Sequence, residues 1–503
     1  MSKSYSGYLC VSNLYRTITI LLITILFSAC AIDEEDTSPL RVRSVAIVLG
    51  LTGDPTTDRD LPDINDPKAQ LGMKLFFTKG LGGDQDAACA SCHHPALAGG
   101  DALSLSIGVG AENPDLVGPG RMHSSLAVGF DGGPTLSRNA PTTFNAGIWD
   151  LVMFHDGRIE SLDRLINANG TPDDTPLGIV TPDSLEDDNG VLLADPNAGD
   201  NLPSAQSRFQ VTSPEAMRGF VFATPGTNDD VRAALEARLA ADPEWVAEFA
   251  AVYGDGAITY TRIAEAIGEY ERSQVFVNSP WKAFIEGDDN AISAAARRGA
   301  LLFMLPPRVD GANCLSCHAG DRFTDERFHV LGMPQIGRGL GDGTTGTDDF
   351  GRFRVTDDEN DRYAFRTPSL LNVTENGPWS HAGAYTTLEA VIRHHFDPQA
   401  AFDSYDINQL EASIVSSGQT ADMVENTQNA LDKLAANRAA GLSLLPTISL
   451  TDEEISDLIE FLKTLTDPCI SDRACVAPWI PDSTDVDPDD LRLNAVDSTG
   501  SPL

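Results

Sequence analysis

The sequence predicts a mainly α fold in two halves, each carrying the same short motif. Three observations lead there. Cys89-Ala90-Ser91-Cys92-His93 recurs 225 residues on as Cys314-Leu315-Ser316-Cys317-His318. An apolar helical turn precedes each copy, Leu71-Gly72-Met73-Lys74-Leu75-Phe76 before the first and Arg298-Gly299-Ala300-Leu301-Leu302-Phe303 before the second. Apolar residues recur at helical spacing over 230–253, 260–277, 291–303, 388–395 and 452–465, while strand patterns are few.

In chain order, the first 29 residues carry only Lys3 and Arg16 as charges, and an apolar run from Ile18 leads into Phe27-Ser28-Ala29-Cys30. A short apolar segment closing on small residues predicts a signal peptide over 1–29 rather than a spanning helix. Its end resembles a bacterial lipobox, in which Cys30 is acylated and becomes the mature N-terminus. Phe27 stands where Leu is usual, so ordinary cleavage is the alternative. Residues 30–60 are acidic and rich in Thr, Asp and Pro, which predicts a flexible tether. The Asp-, Pro-, Gly- and Asn-rich stretch 167–205 predicts a surface insertion. A boundary is expected near Asn278-Ser279-Pro280, and Thr451 with Glu454 makes a capping-box start for the last periodic segment. Residues 468–503 form an acidic, Pro-rich tail, wrapped on the surface or disordered.

In each Cys-x-x-Cys-His the two thiols can form thioethers to the two vinyl groups of one haem. The adjoining imidazole, His93 or His318, then lies under the iron as proximal ligand. The alternatives are a redox dithiol or half of a zinc site. Zinc needs a further Cys or His pair nearby, and neither copy has one at zinc spacing. Cys469 and Cys475 bracket five residues near the C-terminus, and an oxidising compartment favours a disulfide between them.

The formal net charge is −39. Removal of Lys3 and Arg16 leaves 33 of 35 basic side chains against 74 acidic ones, or −41. Nucleic acid is excluded as a partner by repulsion, and membrane contact is expected only through a lipid anchor. The acidity serves solubility, or steers a basic redox partner towards a haem edge.

Around the motifs stand His94-Pro95, Gly99-Gly100-Asp101, Arg138-Asn139-Ala140-Pro141-Thr142 with Asn145-Ala146, and Phe154-His155-Asp156-Gly157-Arg158. The second half carries Phe365-Arg366-Thr367-Pro368-Ser369-Leu370, Asn372-Val373 and His381-Ala382-Gly383-Ala384-Tyr385. Their order and number resemble the bacterial di-haem cytochrome c peroxidase and MauG superfamily, over about residues 71–465. The resemblance implies two cytochrome c-like haem domains, 61–278 and 279–467, meeting at a calcium-bearing interface. It also implies that the first haem reacts with peroxide and the second supplies it with electrons.

Single positions refine what the resemblance implies. In the superfamily's peroxidases a histidine 16 residues after the proximal one closes the first iron. Here that position is Val109, so an open first iron is expected, with His123 the other histidine of this loop region. The residue 17 positions after the Pro of the Thr-Pro motif ligates the second iron, as Met in peroxidases and Tyr in MauG. Here it is Tyr385, a hard donor favouring oxidised iron; Met333 is the alternative, a thioether favouring Fe(II).

Proton handling in the superfamily uses a Gln and, about ten residues on, a Glu just before a Met. Gln206 fits, but Ala216 directly precedes Met217, and the acid is Glu215. Glu215 could instead be a helix-start acid after Ser213-Pro214. His155 stands where the superfamily has a Trp between the haems, and Trp149 is not at the matching position. Calcium is expected on Asn139 with the carbonyls of Arg366 and Pro368, an oxygen-only set. His329, His394 and His395 are read as surface or packing residues.

The function implied is a periplasm-facing di-haem peroxidase, lipid-anchored to the outer membrane or else soluble in the periplasm. It would reduce hydrogen peroxide with electrons from a small cytochrome c or cupredoxin. The alternatives are a MauG-like oxidase acting on aromatic side chains of a partner protein, and a non-catalytic electron-transfer cytochrome.

Overall fold

The computed structural model describes residues 37–163, 177–222, 226–445 and 447–503, so the signal-peptide and Cys30 readings lie outside the described residues. The longer helices are α1 (Pro39–Val48), α2 (Pro67–Phe77), α3 (Leu202–Gln210), α4 (Asn228–Ala240), α5 (Pro243–Tyr253), α6 (Tyr260–Ser273), α7 (Pro280–Glu286), α8 (Ala294–Met304), α9 (Leu388–Phe396), α10 (Met423–Ala439) and α11 (Asp452–Lys463). Proline opens α2, α5 and α7 at the first helical position, where a missing N–H costs no helical bond. Thr227 with Asp230 and Thr451 with Glu454 close capping boxes on α4 and α11. Strands are short. The pairs β1 (Val152–Met153) to β2 (Ile159–Ser161) and β2 to β3 (Ile179–Val180) are antiparallel. So is β4 (Phe328–Val330) with β5 (Ala364–Arg366), in the register His329 to Phe365.

Two helix crossings repeat. A Cβ on Gly72 would stand 1.8 Å from the Ala266 carbonyl oxygen and 2.9 Å from the Tyr270 Cβ. One on Gly299 would stand 1.9 Å from the Asp457 oxygen and 2.9 Å from the Phe461 Cβ. So α2 meets α6 as α8 meets α11, with an offset of 191 residues between the partner helices. Each crossing anchors a hydrophobic core. The first gathers Leu71, Leu75 and Phe76 with Ile263, Ile267 and Tyr270, and adds Leu235, Trp245 and Phe249. The second gathers Leu301, Leu302 and Phe303 with Leu458, Phe461 and Leu462, and adds Trp281 and Phe284.

Several elements depart from the sequence reading. Residues 37–60 are not a loose tether: Val42, Val45 and Ala46 of α1, with Leu51, are buried in the second core. Arg43 pairs with Asp289, and Asp321 accepts from the backbone of Thr52 and Gly53. Four apolar side chains within an acidic stretch suffice to dock it. The periodic segment 230–253 is two helices, because Pro243 restarts the chain with Asp242 as its cap. The end of the expected insertion is also structural, since Leu202 and Ala205 are buried in α3. The tail returns to the first half. There Leu493 enters the core and Asp489 accepts from Thr78 and Trp245. Cys469 and Cys475 form a disulfide.

Because no side chain fits between these backbones, Gly72→Ala and Gly299→Ala are each expected to lower stability by about 1–3 kcal/mol. A fall in the thermal midpoint of the haem-loaded protein would report it; an unchanged midpoint in both variants would mean that the crossings are not close contacts.

Candidate functional site

The motif loops begin just past the two crossings, and their histidines are held alike. His93 Nδ1 lies 3.3 Å from the Gly99 carbonyl, and His318 Nδ1 lies 3.0 Å from that of Phe323. A ring whose Nδ1–H is donated to a backbone carbonyl keeps Nε2 free as a metal ligand. Burial lowers both pKa values, that of His318 to about 4, so both rings stay neutral. Cys89, Cys92, Cys314 and Cys317 are free thiols. Burial pushes Cys92 and Cys314 up to about 12, the opposite of what a redox dithiol or zinc thiolate requires.

One continuous cavity runs from His93 to His318 and is lined largely by apolar side chains, including Phe144, Phe303, Leu371, Leu458 and Leu462. Paired thiols, an anchored imidazole and an apolar slot at each end fit a covalently held haem at each motif. Once attached, the haem would supply a redox-active iron under each histidine. Cys317, Asp325 and His329 cluster closely enough to hold a metal ion, but the thioether reading already uses that thiol.

The two ends are stitched together by buried charges. Arg138 forks onto Asp349 through Nε and Nη2 at 2.7 and 2.8 Å, and its Nη1 reaches Asp156 at 2.7 Å. His155, buried against Arg138 and Arg366, has its pKa lowered to about 3 and donates Nε2–H to the Asn139 carbonyl at 3.0 Å. Trp149 also lines the cavity, with the Arg366 guanidinium 3.6 Å over its ring.

Asn139, Arg366 and Pro368 all line this seam. The Asn139 amide donates to the carbonyls of Leu103 and Ser104, while the Pro368 carbonyl faces His318. These contacts assign the expected calcium set other partners.

At the first site, Gln206 lines the cavity with His93, and Gln210 joins it one turn on. Glu215 does not: its carboxylate accepts from Ser213 Oγ at 3.1 Å in a short turn off the cavity. The reason is local, because Pro214 starts that turn and leaves Ala216 and Met217 as its buried residues. Val109 is buried in the first core and offers no donor atom. Its loop is held by Arg121, which donates to the carbonyls of Ile107, Gly108, Pro114 and Leu116. His123 does not line the cavity; it bonds the Gly133 carbonyl and packs on Phe130.

At the second site the Tyr385 hydroxyl donates to His394 Nδ1 at 2.8 Å, and His394 Nε2 donates to the Leu331 carbonyl at 3.0 Å. The phenol therefore lies beside the cavity wall, whereas Met333 and His395 are on it. The packing reading of His394 and His395 needs correction: one is the partner of Tyr385, and the other lines the site. Their placement four and eight residues after Val391 and Thr387 on α9 was visible as periodicity, but not as function. Glu271 was also missed, although an acid on the apolar face of α6 is a signal in itself.

Residues 66–290 match the family model of the di-haem cytochrome c peroxidases. The chain is 27% identical to the methylamine utilization protein MauG of Methylorubrum extorquens, over 65% of this chain and 68% of that one. It is 26% identical to the cytochrome c peroxidase Ccp of Escherichia coli, over 65% of this chain and 52% of that one. Among solved structures, a MauG-like protein associated with microbial copper homeostasis shares the fold. Its TM-score is 0.52 at 21% identity, covering 84% of this chain and 97% of that one.

Replacing Cys89 and Cys92 together by Ala is expected to leave one covalent haem of two, and likewise for Cys314 and Cys317. Denaturing absorption spectra of protein from a maturation-competent host would show it; a wild type with fewer than two haems would contradict the site. Paired thiol motifs, anchored imidazoles and the family match converge on one assignment: the chain belongs to the di-haem cytochrome c peroxidase family of oxidoreductases.

Proposed function

We propose that the protein reduces hydrogen peroxide at the first haem, with electrons that a small cytochrome c or cupredoxin delivers through the second. The observation that carries this reading is Val109: a residue without a donor atom, buried in the core, at the position from which relatives close the iron. The rigid loop around Arg121 supports it, since no displacement is needed to admit a ligand. The Gln206 and Gln210 amides offer hydrogen bonds to a bound peroxide in the same cavity. The site faces the periplasm in this proposal, with Cys30 as the lipid anchor. The carbonyls of Arg366 and Pro368, with Asn139, remain its proposed calcium set by resemblance. Chelation of calcium from the holoprotein would then lower its thermal midpoint.

Tyr385 favours a second reading, a MauG-like oxidase that draws electrons from aromatic side chains of a partner protein. In both readings Tyr385 is the proposed sixth ligand of the second haem, reached by exchanging its bond to His394 for the iron. Tyr385→Phe is then expected to change the ferric spectrum of one haem, while Met333→Leu leaves it unaltered. The reverse outcome moves the ligand to the loop at 331–335.

The experiment that tests the function is rapid mixing of fully oxidised protein with peroxide. Reaction at one haem within the mixing time, without prior reduction, is expected. Protein inert to peroxide both oxidised and half-reduced would make it an electron carrier.

A further inference from the structure

Glu271 is an acid at a position where the fold repeats an apolar residue. The offset that pairs Ala266 with Asp457 and Tyr270 with Phe461 pairs Glu271 with Leu462. Both line the cavity: Leu462 belongs to the core of the second half, and Glu271 to α6 of the first, on a cavity wall shared with His93, Gln206 and Gln210. Glu271 is 5% exposed, and among the described residues nothing but burial acts on its carboxyl.

The cations of the neighbouring helices are committed elsewhere. Arg208 pairs with Asp195, Arg232 with Asp183 and Asp229, Lys74 with Glu248, and Arg272 with Glu269. The titratable groups beside Glu271 are Cys89 and Tyr270, with His93 on the same cavity, and none is a cation. An unpaired buried acid costs stability that a leucine would not, so packing does not account for it.

We propose that Glu271 is the acid–base residue of the first haem cavity, holding the proton exchanged with a ligand that enters there. Its use in turnover rests on the peroxidase reading. Peroxide reduction takes two electrons from the redox donor and two protons, breaks the O–O bond and releases two waters. Glu271 accepts the proton of the incoming O–H and returns it to the departing oxygen, and solvent supplies the others. The role thus passes from Glu215, which lies off the cavity. Asp101, the other acid of this half raised by burial (to about 7), bonds Leu103 and is off the cavity as well.

Burial raises the Glu271 pKa to about 8 from an ordinary 4.5. Between these values the folded protein holds a proton that the unfolded chain has lost, so this group makes stability fall as pH rises across that window. Glu271→Gln should remove that part of the pH dependence.

The test uses oxidised holoprotein and cyanide, which enters as HCN and must lose its proton to bind as the anion. Glu271→Gln and Glu271→Leu are expected to keep both haems and to melt no lower than wild type at pH 7. Both should bind cyanide at the first haem slower by roughly 10²–10⁴-fold. A wild-type cyanide rate in both variants would overturn the proposal, as would slowing by Glu215→Gln instead. Loss of the first haem from both variants would make Glu271 structural and overturn it too. Wild-type protein inert to peroxide, but with the cyanide effect intact, would remove the peroxidase reading and leave Glu271 in its role.

Discussion

Gly72 and Gly299 bring α2 and α8 against the carbonyls of α6 and α11 at separations that a side chain would forbid. The haem loops begin about a dozen residues beyond these crossings, so the crossings set where Cys89 and Cys314 stand relative to the apolar faces of α6 and α11. From those faces come Glu271, Leu458 and Leu462, which line the cavity. Close backbone approach thus connects a local property of glycine to the shape of the slot at each motif. The same geometry makes the two slots comparable position by position, and the comparison exposes the one place where the chemistry differs.

The seam between the slots is polar and dry. Arg138, Asp156 and Asp349 are nearly inaccessible, and removing any one would strand an uncompensated charge, a loss of about 3–5 kcal/mol. That network holds the loop of Asn139 and His155 from the first half against β5 of the second. His155 is kept neutral there by burial and by the flanking guanidiniums, so it acts as a hydrogen-bond donor and not as a cation. Trp149, with Arg366 stacked on its ring, is the large aromatic side chain on this stretch of the cavity wall. A cation at that distance makes the indole harder to oxidise.

Much of this was legible from residues. The two motifs, the preceding apolar turns and the helical periods follow from spacing alone, as does the capping box at Thr451. What was not legible depends on long-range packing. The α1 segment looked like a tether because its charges outnumber its apolar residues, yet Val42, Val45 and Ala46 share one face and find the second core. Glu215 looked catalytic by its distance from Gln206, but Pro214 turns the chain so that Ala216 and Met217 point inward. Tyr385 was recognisable by position, whereas its bond to His394 required α9 to be seen packed against the loop at Leu331.

Similar scaffolds therefore hold unlike sites. The first has a distal loop locked around a residue that cannot ligate, with two amides and a carboxylic acid on the cavity wall. The second has an apolar wall, with Tyr385, Met333 and His395 close enough to close an iron. Electron paramagnetic resonance of the fully oxidised holoprotein tests this inequality most directly. The account predicts one high-spin and one low-spin ferric signal in equal amounts, with Val109→His converting the high-spin signal to low-spin or leaving it unchanged if the core holds that side chain away. Two low-spin signals in the wild-type protein would contradict it.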